Sequence, residues 1–168
     1  MSYFRMIFFY FCIYSFLGWN LEGLFNLFTR GHFFKPNFLI LPLKPMYGIA
    51  SVFLVLIKGS VPLGIFIIAC LIIPSLIEYI TAYSLFQSFG LKYWDYSENR
   101  YNLSGYICLR FSIYWMFLSF ILVYWIHPLI RLFYDRSMTL WFYLFPITLL
   151  LLLIDFCLTL KNKTRLQV

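Results

Sequence analysis

Apolar residues run through this chain in long stretches broken by a few short polar segments. Several of the stretches match the ~20 residues that a bilayer-spanning helix requires. Residues 3–28 form the first. Residues 29–45 read as a loop, with Arg30, His32, Lys35, Lys44 and three prolines. Residues 46–57 are apolar but short, and Lys58-Gly-Ser-Val-Pro62 breaks the chain behind them. Residues 63–86 are a long span, 88–108 a polar and aromatic loop, and 109–133 and 140–160 the last two spans. The expected fold is all-α: a polytopic transmembrane helical bundle of about five spans, the second short or broken. It forms a single domain over residues 1–160, followed by a basic cytoplasmic tail at 161–168.

The second span is the weak one. A dozen residues rise only ~18 Å against a hydrocarbon core of ~30 Å. The helix either begins as early as Phe38, with Pro42, Lys44 and Pro45 breaking it, or enters and leaves on one side. Counting positive charges favours five spans. Arg30, Lys35, Lys44, Lys92, Arg100, Arg110, Lys161, Lys163 and Arg165 then share one side, against Arg5, Lys58, Arg131 and Arg136 on the other. Basic residues accumulate on the cytoplasmic side, which predicts an outer N-terminus and an inner C-terminus.

Composition agrees: 63% of residues are hydrophobic and 11% charged, with a mean hydropathy of +0.85. A soluble domain is about a quarter charged. The net charge of +7 is scattered between apolar runs, so it marks loops and not a nucleic-acid surface. One Arg and no small-residue cleavage site accompany the first run, which reads as an uncleaved helix. No phosphate-binding G-x-x-x-x-G-K-[ST] occurs, so the chain carries no recognisable NTPase of its own. Cys12, Cys70, Cys108 and Cys157 contain no C-x-x-C pair, and His32 and His127 lack metal-ligand spacing. Neither a metal nor a cofactor is expected. The partner that composition implies is the bilayer.

Two carboxylates stand out in the apolar helices. Glu22 and Glu78 each carry an insertion cost of about 2.5–3.5 kcal/mol if charged at a helix centre. Ser15, Trp19, Glu22 and Asn26 share one face of the first helix, and Gly18 and Gly23 leave room for a neighbour. On the third span Pro74, Glu78 and Thr81 share a face, with Ser75 and Tyr79 beside it. Such acids bind a cation, relay a proton or hold a basic partner; the purely structural alternative pairs them with Arg30 or Arg110, or leaves them simply protonated. Trp94-Asp95-Tyr96-Ser97 and Asn102-Leu-Ser-Gly105 suggest a shaped turn with Asx-type bonding. Pro42…Pro45-Met-Tyr-Gly48 is rigid, either a broken helix exposing backbone to substrate or a stiff connector. With five spans, Glu22, Glu78, Arg110 and Asp155 all fall in the inner leaflet, which predicts a polar vestibule open to the cytoplasm.

In order, Phe16-Leu-Gly-Trp19…Glu22, Arg30-Gly, Pro42…Pro45-Met-Tyr-Gly48, Glu78-Tyr79…Thr81, Trp94-Asp-Tyr-Ser97 and Asn102…Gly105…Ile-Cys-Leu109…Ser112…Trp115 resemble the bacterial ABC-transporter type IV membrane proteins, the CmpB-like permeases. The resemblance covers roughly residues 12–130. It implies a multi-spanning bacterial inner-membrane transport permease component, which a separate ATPase subunit or a second copy of the chain would complete, since ~20 kDa is small for a transport machine. The chain departs from the family pattern at Leu41-Pro42, where Gly-Pro is expected, and at Tyr106, where a basic residue is expected. Beside the transport reading stand a membrane-embedded enzyme or lipid- or peptide-handling protein, with Glu22, Glu78 and Asp95 as acids or bases and Arg30 and Arg110 on an anionic head group, and a structural membrane subunit. The residues lean against an enzyme.

Overall fold

A computed structural model describes residues 2–165. Helix α1 covers Ser2–Arg30, α2 Pro45–Ile57 and α3 Leu63–Phe89. A minimal hairpin of β1 (Asn102–Leu103) and β2 (Ile107–Cys108) follows, pairing Asn102 with Cys108 and Leu103 with Ile107. Then come α4 (Leu109–Ile121), a π-helical turn (Leu122–Ile126) and α5 (His127–Arg165). Of the expected tail, residues 161–165 continue α5, and 166–168 lie outside the described residues.

Three helical runs are long and apolar enough to cross a membrane: Ser2–Arg30, Leu63–Phe89 and Leu109–Lys163. Helix α2, with 13 residues, is short as its sequence indicates. It does not begin at Phe38. Residues 31–44 are irregular, because Pro36, Pro42 and Pro45 withhold N–H donors and push their predecessors out of the helical region. Pro45 starts the helix at the one place where a missing N–H costs nothing. The expected break between the last two spans is also absent: Tyr134-Asp-Arg-Ser-Met-Thr139 is helical, so both apolar stretches lie on one continuous 55-residue run. That segment is polar but contains no Gly or Pro, and the Ser137 hydroxyl bonds the Phe133 carbonyl within the helix instead of ending it.

The chain folds as two compact units, Met1–Gly48 with Leu132–Val168, and Ile49–Arg131. The first has an aromatic core. Phe9 lies 5.1 Å from Tyr134 and 5.0 Å from Trp141, ring centre to ring centre, and Trp141 Nε1 donates to the Arg5 carbonyl at 2.9 Å. Two glycines let the start of α2 come close to α1. A Cβ on Gly18 would sit 2.3 Å from the Tyr47 ring, and one on Gly48 2.6 Å from the Phe11 carbonyl oxygen.

The second unit is built around Leu54, Phe66, Cys70 and Val123. Along α3, Ile65, Ile68, Ile72, Leu76, Ile80 and Tyr83 form an exposed apolar stripe, while Phe66, Cys70, Ser75, Glu78 and Ala82 are buried. A stripe of that length facing water would drive aggregation; facing lipid it is at home. The π-turn has a local cause. Pro128 has no N–H, and the His127 N–H reaches back to the Leu122 carbonyl. The Val123 carbonyl, released from its α-helical partner, accepts from Lys58 Nζ at 3.3 Å, with the ammonium 4.1 Å from the centre of the Tyr124 ring.

Candidate functional site

Each glutamate anchors a polar cluster inside its own unit. Glu22 projects from α1 about two turns before the helix ends. Its Oε2 accepts from Lys35 Nζ and Lys44 Nζ, both at 2.8 Å, and its Oε1 from the Tyr47 hydroxyl at 2.9 Å. The side chains of Lys44, Glu22 and Lys35 are 8%, 12% and 23% exposed, so this is an internal ion triad open on its Lys35 side. Burial pushes the Lys44 ammonium's pKa down, Glu22 raises it, and the neighbouring Lys35 lowers it again.

The 31–44 loop that brings in the lysines is irregular but pinned. Asn26 Nδ2 donates to the His32 carbonyl at 2.7 Å and to that of Phe34. Asn37 Nδ2 donates to the carbonyls of Leu41 and Leu43. The Lys44 N–H reaches the Ser15 carbonyl on α1 at 3.0 Å. From α5, Asp155 accepts the successive N–H groups of Ile40 and Leu41 at 2.9 and 2.7 Å, and the Thr159 hydroxyl as well. A loop without secondary structure thus satisfies its backbone through helix side chains.

In the second unit, the buried Glu78 accepts from the Tyr96 hydroxyl at 3.0 Å and from Trp115 Nε1 at 2.8 Å. Tyr96 stacks on Phe111 at 4.8 Å. The loop behind it is the shaped turn that its sequence suggests. Asp95 Oδ1 accepts the Ser97 N–H and hydroxyl, and Lys92 Nζ lies 3.0 Å from Oδ2. Asn102 accepts the Gly105 N–H and donates to the carbonyls of Ser97 and Asn99. Gly105 has φ +72°, and a Cβ there would meet Asp95 Oδ1 at 2.7 Å. Trp94 Nε1 donates to the Tyr106 carbonyl, while the Tyr106 ring packs on Tyr79, Tyr83 and Phe86. Tyr106, where the resemblance leads to the expectation of a basic residue, therefore sits in an aromatic cluster.

Not every sequence candidate joins a carboxylate. The arginine pairs of the structural alternative do not form among the described residues: Arg30 ends α1 exposed, and Arg110 turns its Nε to the Tyr114 hydroxyl. The cations on Glu22 are lysines. Thr81 bonds its own helix at the Ile77 carbonyl, and Trp19 packs edge-on against Phe33. Sequence reasoning did not assign Lys35, Lys44, Tyr47 and Trp115 as partners of the acids. Tyr47 and Trp115 lie inside motifs that carry the resemblance; Lys35 and Lys44 come from an irregular loop, where no periodicity points to them.

The bonds from Ser97, first its hydroxyl and then its N–H, hold the Asp95 carboxyl down at a pKa of about 2, with Lys92 adding to the effect. A depressed carboxylate stabilises the turn fully above its unfolded value near 4 and loses that contribution as pH falls through about 2. Proteolytic nicking of the 90–108 loop should therefore stay constant from neutral pH down to about 5 and rise between about 4 and 2. Asp95→Asn should nick readily at every pH; a wild-type profile without an acid rise would show that Asp95 does not hold the turn.

In comparison with known proteins, the family described as "Putative ABC-transporter type IV" matches residues 9–160, which includes the last apolar stretch as well as the motif-bearing part. Neither a curated protein nor a solved structure matches.

Proposed function

We propose that this chain, which belongs to the family "Putative ABC-transporter type IV", works as the permease component of a transport system, with Glu22 and Glu78 facing polar space open to the cytoplasm. One observation carries this reading. Each intramembrane carboxylate is engaged by side chains from the loop that follows its own helix, Lys35 and Lys44 for Glu22 and Tyr96 for Glu78. A loop-held carboxylate can exchange its loop partner for a substrate group without repacking a helix. The excess of basic residues around these loops supports placing them inside a bacterial inner membrane, with the N-terminus out and the C-terminus in. The chain then acts as one membrane domain, alone or as a homo-oligomer, and takes its energy from a separate ATPase.

The experiment is purification in mild detergent followed by reconstitution into liposomes. A nucleotide-hydrolysing subunit should copurify, and its ATPase activity should fall about tenfold or more with Glu22→Gln or Glu78→Gln, a loss of ~1.4 kcal/mol in coupling. Copurification with unaltered activity in both variants would remove the carboxylates from the mechanism. Absence of any ATPase partner would remove the transport reading and favour a structural subunit, to which the same internal hydrogen bonds also lend themselves.

A further inference from the structure

We infer that Lys35 and Lys44 form a binding site for an oxyanion, a phosphate or carboxylate group, which Glu22 occupies internally until that group arrives. The charge count is the first ground. Two ammonium groups share one carboxylate, leaving a surplus positive charge in a cluster whose members are 8–23% exposed. Buried charge is tolerated when it is matched, and here one more negative charge completes the match.

Donor capacity is the second ground. Each ammonium has three N–H groups, and among the described residues each side chain spends one, on the same oxygen, Glu22 Oε2. Both nitrogens lie 2.8 Å from that atom, so they are close enough for one oxyanion to bridge them. The Tyr47 hydroxyl stands on the other carboxylate oxygen.

The third ground is preorganisation with access. Asp155, Asn26 and Asn37 fix the loop backbone around the lysines. Asp155 directs its oxygens to Ile40, Leu41 and Thr159, and it forms no ion pair with either lysine. Lys35 opens to the outside while Lys44 lies behind it, so a ligand enters past Lys35. The cluster lies near the end of a spanning helix, where both lipid head groups and dissolved anions arrive.

The site concerns binding alone, so its test is separate from that of transport. The full chain in neutral detergent would be titrated with inorganic phosphate at constant ionic strength, with chloride as control, and followed by thermal unfolding. In parallel, nanodiscs of phosphatidylglycerol or phosphatidylcholine would be compared by unfolding and by native mass spectrometry. Saturable stabilisation by phosphate identifies a dissolved anion; stabilisation only by phosphatidylglycerol identifies a head group. In either arm Lys35→Gln should weaken binding about tenfold, the loss of one charge-assisted contact. Glu22→Gln should tighten binding several-fold, because it removes the internal competitor, and each shift is read against that variant's own baseline. A response equal to that of chloride, one indifferent to Lys35→Gln, or weaker binding by Glu22→Gln would overturn the site, as would no response to either probe.

Discussion

Glu22→Ala should destabilise the protein by about 3–5 kcal/mol, the range for removing one partner of a buried ion pair. The change deletes the counter-charge of two ammonium groups held on one oxygen and the acceptor of the Tyr47 hydroxyl. The lysines cannot simply swing into water: Lys44 is 8% exposed, on a loop whose backbone is fixed to α1 at Ser15. Their mutual repulsion, otherwise screened by the carboxylate, then acts in a poorly solvated site. Unfolding in mixed micelles would measure the loss. The decisive comparison adds Lys44→Met to Glu22→Ala. If the loss comes from stranded charge, the double variant should regain most of it, whereas additive losses would mean that Glu22 stabilises through packing alone. A loss under about 1 kcal/mol would place the triad with solvent-screened surface pairs.

How much of this could be read from the sequence depends on periodicity. The long helices, the short α2, the acids and the motif residues around them were legible, because apolar runs, prolines and charges in apolar surroundings are local signals. Gly18 and Gly23 were legible as contact residues, although the side chains that fill the space beside them, Tyr47 and Phe33, were not. The break expected at 134–139 failed because polarity is not a helix terminator: without Gly or Pro, and with the Ser137 hydroxyl bonded inside the helix, the hydrogen-bond ladder continues. The partners of the acids failed for a different reason. An arginine two turns from Glu22 on the same helix looks closer than a lysine 13 residues away, yet Arg30 stays exposed at the helix end while the proline-bent loop folds Lys35 and Lys44 back onto Glu22. Proximity in an irregular loop is set by tertiary hydrogen bonds such as those of Asn26 and Asn37, which no spacing rule encodes.

Asp155→Asn should cost about 2–4 kcal/mol although it changes one atom. Asp155 is 5% exposed and presents one oxygen to the Ile40 N–H and the other to the Leu41 N–H. An amide keeps one acceptor and turns two N–H donors toward a backbone N–H, so at least one buried donor loses its partner. The same volume is retained, which separates this effect from a packing defect. Thr159→Val removes only the hydroxyl that bonds Asp155 Oδ1 and should cost about 1 kcal/mol. The larger consequence lies in the loop. Ile40 and Leu41 sit between Lys35 and Lys44, and Asn37 grips the carbonyls of Leu41 and Leu43, so releasing the two N–H groups loosens the segment that delivers both lysines to Glu22. Asp155→Asn and Glu22→Ala should then be less than additive in unfolding free energy, because each partly removes what the other relies on. Strict additivity would show that Asp155 staples α5 to the loop without positioning the lysines.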